Sequence, residues 1–171
     1  RDFSTWKNTT DLLVENVMVP QGGSTVVNFG NVKLPVIEVY KFHDLDGDGV
    51  WDSGEPSLND WWFDLYWWTG SNWNLRASQQ TGADGKIVWT GDSGITDFGK
   101  YQVRERLSDH PGWECTNCEG DGTVQTIDNL QASDHATLNF GNRETCVNYD
   151  VRLSSHHVDC YTEQTEFVYI V

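Results

Sequence analysis

The chain has 171 residues and carries 11 Lys plus Arg against 26 Asp plus Glu, so its formal net charge is 11 − 26 = −15. So acidic a chain repels phosphate backbones and anionic lipid headgroups, which argues against nucleic acid as a partner. No apolar stretch approaches the roughly 18 residues of a membrane-spanning helix. The 16 Gly, nine Trp and single Met favour turns and strands over helices, and this composition predicts an all-β protein.

Three features predict an extracellular, secreted protein of the cell surface. The four cysteines are an even number, as in disulfide-bonded proteins of oxidising compartments. Asn8, Thr9 and Thr10 form a glycosylation triplet, which belongs to secreted chains. The third feature is the acidic charge described above.

Short β-like runs recur between clusters of Gly, Asp and Asn, a rhythm typical of an immunoglobulin-like or transthyretin-like β-sandwich. The predicted strands are residues 13–19, 25–29, 36–42, 61–68, 86–90, 101–106, 124–130, 136–140, 147–153 and 166–171.

Residues Val26 to Asn31 recur as Thr137 to Asn142, and both copies end in Asn-Phe-Gly-Asn. We interpret this recurrence as an internal repeat rather than a chance similarity. It divides the chain into an N-terminal strand segment (1–31), a calcium-binding sandwich module (32–142) and a C-terminal strand hairpin with a cysteine pair (143–171). Because an isolated hairpin is marginal in water, residues 1–31 must pack on their own module or act as a donor strand on a neighbouring copy.

The most specific motif is the acidic segment 44–55. Counted from Asp44, oxygen-bearing side chains stand at positions 1, 3, 5, 9 and 12 and a glycine stands at position 6, the spacing of a twelve-residue Ca²⁺ loop. The strand-like flanks disfavour a helix-loop-helix sensor, so we predict an ion that pins a loop between two strands. The alternative is a solvated acidic turn. The predicted ligands are Asp44, Asp46, Asp48, the backbone carbonyl of Val50, Asp52 and Glu55.

Residues 41–49 and 52–58, then 81–86, 99–105, 110–113 and 139–142, resemble the B-type repeats of serine-aspartate surface adhesins and the related collagen-adhesin B-type domains. The resemblance covers about residues 36–142. It implies a transthyretin-like, or prealbumin-like, sandwich that serves as a calcium-stiffened stalk unit without catalytic activity.

Some collagen-adhesin relatives carry a spontaneous isopeptide bond from a first-strand Lys to a last-strand Asn, catalysed by a buried acid. The resemblance places Lys41, Asn139 and Glu105 at roughly the matching positions. An apolar site could hold the amine neutral and the acid protonated, as amide exchange requires.

Residues 61–68 depart from the relatives by their aromatic content. Period-two geometry sends Trp61, Phe63, Leu65 and Trp67 to the core and leaves Trp62, Tyr66 and Trp68 on the outer face. An exposed patch of that kind marks an interface or a ligand site. It would be covered by surplus strands or a neighbouring chain, or it would stack on sugar rings.

The cysteines are Cys115 and Cys118, two residues apart, and Cys146 and Cys160. The spacing of the second pair is not that of a usual zinc hook, so we predict disulfides. Four cysteines allow three pairings; our working assignment joins Cys115 to Cys118 and Cys146 to Cys160.

No nucleophile stands beside a base, and we expect no enzyme. We predict a calcium-stabilised subunit of a surface filament or stalk that partners with itself through strand addition. The alternatives are a carbohydrate-binding or adhesive module, with glycans as partners, and a plain spacer repeat.

Overall fold

The computed structural model describes residues 5–120 and 122–145. Within them the chain forms ten strands and two short 3₁₀ helices, Gly91–Ser93 and Leu107–Asp109. The strands are β1 (Trp6–Asn8), β2 (Asn31–Lys33), β3 (Val36–His43), β4 (Trp62–Trp68), β5 (Trp73–Gln80), β6 (Lys86–Trp89), β7 (Gly99–Glu105), β8 (Trp113–Cys115), β9 (Val124–Leu130) and β10 (His135–Glu144).

Two four-stranded sheets pack as a sandwich, which confirms the predicted all-β class. One sheet has the order β6-β3-β10-β8 and the other β5-β4-β7-β9, while β1 and β2 form a small separate pair. Strand β10 runs parallel to β3, with Phe140 opposite Lys41 and Asn142 opposite His43. The first and last strands of the sandwich are therefore direct neighbours.

Period-two alternation explains the core. In β3, Ile37 and Val39 point between the sheets, and in β4, Phe63 and Leu65 do the same; all four are fully buried. Tyr101 and Val103 of β7 and Phe140 of β10 complete the centre. The buried hydrophobic cluster comprises Ile37, Val39, Trp61, Phe63, Leu65, Ile87, Trp89, Ile95, Tyr101, Val103, Leu130 and Phe140.

The strands predicted at 13–19 and 25–29 are wrong. Residues 9–30 connect β1 to β2 without regular secondary structure, and their apolar side chains are exposed. The ends of this segment are held, because Thr9 N–H donates to the Gly30 carbonyl (2.9 Å) and Lys7 pairs with Asp97 (2.7 Å). A strand needs a hydrogen-bonding neighbour, and a pattern of apolar residues cannot supply one.

The predictions at 36–42, 61–68, 86–90, 101–106, 124–130 and 136–140 are matched by β3, β4, β6, β7, β9 and β10. Strand β5, an edge strand of mostly polar residues, was missed, as were β1, β2 and β8. The strands predicted at 147–153 and 166–171 lie outside the described residues. In residues 5–120 and 122–145 no helix has the length and apolar character needed to cross a bilayer.

Candidate functional site

Three polar side chains meet inside the sandwich, where β3, β7 and β10 bring them together. Lys41, Glu105 and Asn142 are all buried, and the side chains of Lys41 and Glu105 have no exposed surface. The Lys41 Nζ lies 3.3 Å from Glu105 Oε1 and donates to the Phe140 carbonyl at 3.1 Å. Asn142 Nδ2 donates to the same Glu105 oxygen at 3.0 Å. We call this group the buried trio.

Burial disfavours the charged forms of the trio. Desolvation lowers the pKa of Lys41 to about 8, against the opposing effect of the Glu105 charge. Desolvation likewise raises the pKa of Glu105, against the attraction of Lys41 and the hydrogen bond from Asn142. A proton moved from the ammonium to the carboxylate leaves two neutral groups, which an apolar interior tolerates better than an ion pair.

Two buried oxygens of the trio, Glu105 Oε2 and Asn142 Oδ1, have no hydrogen-bond partner in the described part of the chain. Each is an acceptor when Glu105 is ionised. A proton on Glu105 Oε2 turns that atom from an acceptor into a donor and so removes one of the two unpartnered acceptors. The two unpartnered oxygens therefore favour a protonated Glu105.

An aromatic wall closes one side of the trio. The Lys41 Nζ lies 4.4 Å from the centroid of the Trp61 ring. His110 stacks on that ring at 3.7 Å, and Trp113 meets it edge-on at 5.5 Å. These rings exclude water from the amine, which keeps the local dielectric low.

The predicted partner Asn139 is wrong as a member of this group. Asn139 is exposed, because side chains alternate along β10 and its neighbours Phe140 and Asn142 point inward. The residue that faces Lys41 is Asn142. The sequence carries one signal for this, since Asn142 shares a face of β10 with the apolar Phe140 and Asn139 does not, but only the pairing of β10 with β3 fixes which face turns inward.

The predicted metal loop follows β3 directly, and its first three aspartates converge. One carboxylate oxygen from each of Asp44, Asp46 and Asp48 lies within 4.8 Å of the others. Asp44 is buried, while Asp46 and Asp48 are exposed. Gly49 has φ +80°, so the tight turn here uses a backbone conformation that favours glycine. The arrangement offers several hard oxygens to one side of the turn.

Two carboxylates of the loop, Asp44 and Asp46, have pKa values shifted in opposite directions. Burial would raise the pKa of Asp44, but hydrogen bonds from Thr116 and from the Gly49 and Gly47 backbone hold that pKa below its ordinary value. For Asp46, the hydrogen bond from the Asp48 backbone lowers the pKa, yet desolvation and nearby negative charge leave it raised. Carboxylates that repel one another at close range fit a site for a divalent cation.

The remaining predicted ligands are not in the aspartate cluster. Glu55 accepts hydrogen bonds from the backbone N–H groups of Leu45 (2.8 Å) and Asp52 (2.9 Å), and so ties the two ends of the loop together. Val50 is exposed, and its N–H donates to Asp48 at 2.8 Å. Because each carboxylate oxygen has two lone pairs, Glu55 can hold these bonds and still face an ion.

The loop and the buried trio are linked through the backbone. Asp44 N–H donates to the Asn142 carbonyl at 2.8 Å. The turn after β8 adds a second link, because Asn117 Nδ2 donates to the carbonyls of Gly49 (2.9 Å) and Asn139 (3.0 Å). The position of β10 at the trio therefore depends on the same contacts that shape the loop.

Cys115 and Cys118 form a disulfide, as predicted. Both residues are half-buried and pack against the hydrophobic core. The proposed partners Cys146 and Cys160 lie outside the described residues, so their pairing stays a prediction.

The outer face of β4 carries the predicted aromatics Trp62, Tyr66 and Trp68. Arginines from β7 and the turn after it lie against them: the Arg104 guanidinium is 4.1 Å from the Tyr66 ring, and that of Arg106 is 5.3 Å from the Trp62 ring. Trp73 of β5 lies 5.1 Å from Trp68, whereas Trp89 belongs to the core.

No family model and no curated protein matches this sequence. Among solved structures, the chain is similar to the shaft pilin SpaA of Lactobacillus rhamnosus GG, with 16% identity and a TM-score of 0.39; the alignment covers 67% of this chain and 52% of the pilin. It is also similar to the pilus-presented adhesin Cpa, with 15% identity, a TM-score of 0.35, and coverage of 66% of this chain and 28% of the adhesin. The chain thus spans about half the length of the pilin, and the likeness, which is distant, concerns the fold alone.

Proposed function

We propose that this chain is an extracellular structural module of a surface filament or stalk, and that an amide bond between Lys41 and Asn142 locks its sandwich. The observation that carries this proposal is the buried trio. A charged lysine and glutamate in a dry core cost several kcal/mol in desolvation, so they need a compensating role. A bond formed from the neutral groups provides one.

The reaction needs only the three side chains. The neutral Lys41 Nζ attacks Asn142 Cγ, while protonated Glu105 donates to Oδ1 and stabilises the charge that develops there. Glu105 then carries a proton from Nζ to Nδ2. The new C–N bond forms, the Cγ–Nδ2 bond breaks, and ammonia leaves, so no outside reactant is consumed.

The placement of the bond suits a mechanical role. It would join β3 to β10, the two parallel neighbours at the beginning and end of the sandwich. Tension applied at the two ends of the module would then pass through the cross-link and would leave residues 42–141 folded. A module of a stalk or filament meets tension of this kind.

Intact mass spectrometry of the folded chain tests the cross-link. We expect a mass lower than the sequence mass by one ammonia, beyond the loss of hydrogen at disulfides, and a branched peptide that joins Lys41 to Asn142 after digestion. Asn142→Ala abolishes the loss, and the matched control Asn139→Ala keeps it. An unchanged mass for the parent chain would remove the cross-link from the proposal.

We further propose that Ca²⁺ binds the 44–55 loop and stiffens the module, with Asp44, Asp46 and Asp48 as its first ligands. Support comes from their convergence within 4.8 Å and from the raised pKa of Asp46. Calorimetric titration tests this. Heat should appear with Ca²⁺ and vanish in the Asp46→Asn/Asp48→Asn double variant, whereas Asp128→Asn, at an exposed carboxylate that pairs with Lys100, should bind as the parent does.

Assembly into a filament would use residues 9–30. Their apolar side chains are exposed, among them Leu12 (78%), Met18 (85%) and Val26 (79%), and residues 5–120 and 122–145 provide this segment with no strand partner. Exposed apolar residues in an extended segment favour addition to the edge of a second copy's sheet. Light scattering and electron microscopy should detect self-association that Leu12→Asp/Leu13→Asp disrupts. A parent chain that stays monomeric at high concentration would contradict this part.

A second candidate function is carbohydrate binding on the outer aromatic face. It is favoured by the groove beside Trp73, Gln102 and Arg104, where one indole ring and a guanidinium lie together and Trp68 adjoins Trp73. Aromatic rings stack on sugar faces, and an arginine can hold a carboxylate. Binding on a glycan array that Trp68→Ala abolishes would support this function over the mechanical one.

A further inference from the structure

The Cys115–Cys118 disulfide lies beside the buried trio. A carboxylate oxygen of Glu105 and the two sulfur atoms are all within 4.8 Å of one another. Cys115 is paired with Asn142 across the β8–β10 ladder. The disulfide therefore adjoins two members of the trio, Glu105 and Asn142. Glu105 has no exposed side-chain surface, whereas the two cysteines are partly exposed. A half-buried disulfide therefore adjoins a carboxyl group that has no exposed surface.

We propose that the Cys115–Cys118 disulfide is a cover that keeps water from Glu105, so that its redox state sets how fast the Lys41–Asn142 bond forms. This inference rests on the cross-link proposed above. The cysteines touch neither reacting atom; they act by shielding the group that moves the proton.

The turn that carries the disulfide is anchored independently of it. Thr116 N–H and Oγ1 both bond to the Gly141 carbonyl, at 2.9 and 3.0 Å, and Asn117 Oδ1 accepts from the Gly141 N–H at 3.1 Å. A side chain at Gly141 would collide with Phe42 and Thr116, which shows how closely the turn is applied to β10. Reduction therefore leaves the turn in place and frees only the two sulfurs.

Reduction consumes two electrons and two protons and converts the S–S bond into two thiols; a dithiol such as dithiothreitol supplies them and becomes a cyclic disulfide. The freed sulfurs separate to a non-bonded distance, and a gap opens over Glu105. Water at that gap stabilises the ionised carboxylate and ammonium, so less of the neutral amine is present at a given pH. The groups that face the amine are Glu105 and, further away, Asp44, with His110 behind the Trp61 ring.

The experiment follows ammonia loss by mass spectrometry as the full chain folds out of denaturant, starting from chemically synthesised chain that has never folded and whose Asn142 therefore still carries its amide. Two double variants are compared, Cys115→Ser/Cys118→Ser and the matched control Cys146→Ser/Cys160→Ser, the latter with and without dithiothreitol. We expect the first variant, and the reduced control, to cross-link about tenfold more slowly than the oxidised control near neutral pH, since each unit of pKa changes the neutral fraction of the amine tenfold.

The pH profile separates shielding from a general loss of stability. Shielding predicts that the midpoint of the rate against pH rises by about one unit when the disulfide is absent. A lower rate at every pH with an unchanged midpoint, or equal rates with and without the disulfide, would overturn the inference and leave the cross-link standing. If no form of the chain loses ammonia, the proposed cross-link itself fails.

Discussion

Removal of the cross-link by Asn142→Ala should destabilise the module far more than the loss of one hydrogen bond. The proposed Lys41–Asn142 bond would close a loop of 142 − 41 = 101 residues. In the chain-entropy treatment of cross-links, a loop of this length restricts the unfolded state by about 4.7 kcal/mol. A buried hydrogen bond alone accounts for about 1 to 3 kcal/mol. A cross-link through Asn142 and a hydrogen bond from Asn142 thus predict measurably different losses of unfolding free energy.

For a domain of this size, each kcal/mol moves the melting temperature by about 2 to 4 °C. We therefore expect Asn142→Ala to melt about 10 to 20 °C below the parent in calorimetry. Asn139→Ala is the control, because Asn139 is exposed and its backbone carbonyl, which accepts from Asn117 and Gln125, survives the substitution. It should melt within about 2 °C of the parent. A melting temperature for Asn142→Ala equal to that of the control would refute the reasoning.

Three further outcomes are expected. Glu105→Gln should give the full sequence mass, since no acid remains to move the proton, and should lose about 4.7 kcal/mol in denaturant melts because no cross-link restricts the unfolded chain. Ca²⁺ at ten times its dissociation constant should add about 1.4 kcal/mol to the unfolding free energy, a gain that EGTA reverses and that Asp46→Asn diminishes. Desolvation would raise the pKa of Asp64, but the Arg106 guanidinium beside it helps hold that pKa below its usual range. The stability from this pair is therefore present above the unfolded pKa of about 4 and is lost as pH falls through the lowered folded pKa. Arg106→Gln should cost up to about 1 kcal/mol at pH 7 and almost nothing at pH 2.

The strands of the sandwich were largely predictable, because a buried strand must alternate or be apolar throughout. The residue patterns of Val36–His43 and Trp62–Trp68 indicate buried strands in this way. Trp73–Gln80 does not, since half of its side chains are exposed, none is buried, and its place at the sheet edge is set by β4. The segment 13–19 has the opposite character: its residues suit a strand, yet no neighbouring strand is described for it.

The acidic loop was readable because its acidic residues are close in sequence, and a local spacing translates directly into a local turn. The buried trio was not readable in full, since its members are separated by 64 and 37 positions. Lys41 and Glu105 could be named from a resemblance, but the choice between Asn139 and Asn142 depends on which face of β10 points inward. The parallel pairing of β10 with β3 decides that.

The amino-acid sequence by itself determined the β class, the net charge and the oxygen-rich turn after the first core strand, because each depends on composition or on neighbours along the chain. Only the tertiary structure decided which asparagine meets Lys41, that a disulfide lies beside Glu105, and that residues 9–30 leave their apolar side chains in solvent. These are contacts between strands remote in sequence, and their geometry is fixed by sheet register and packing.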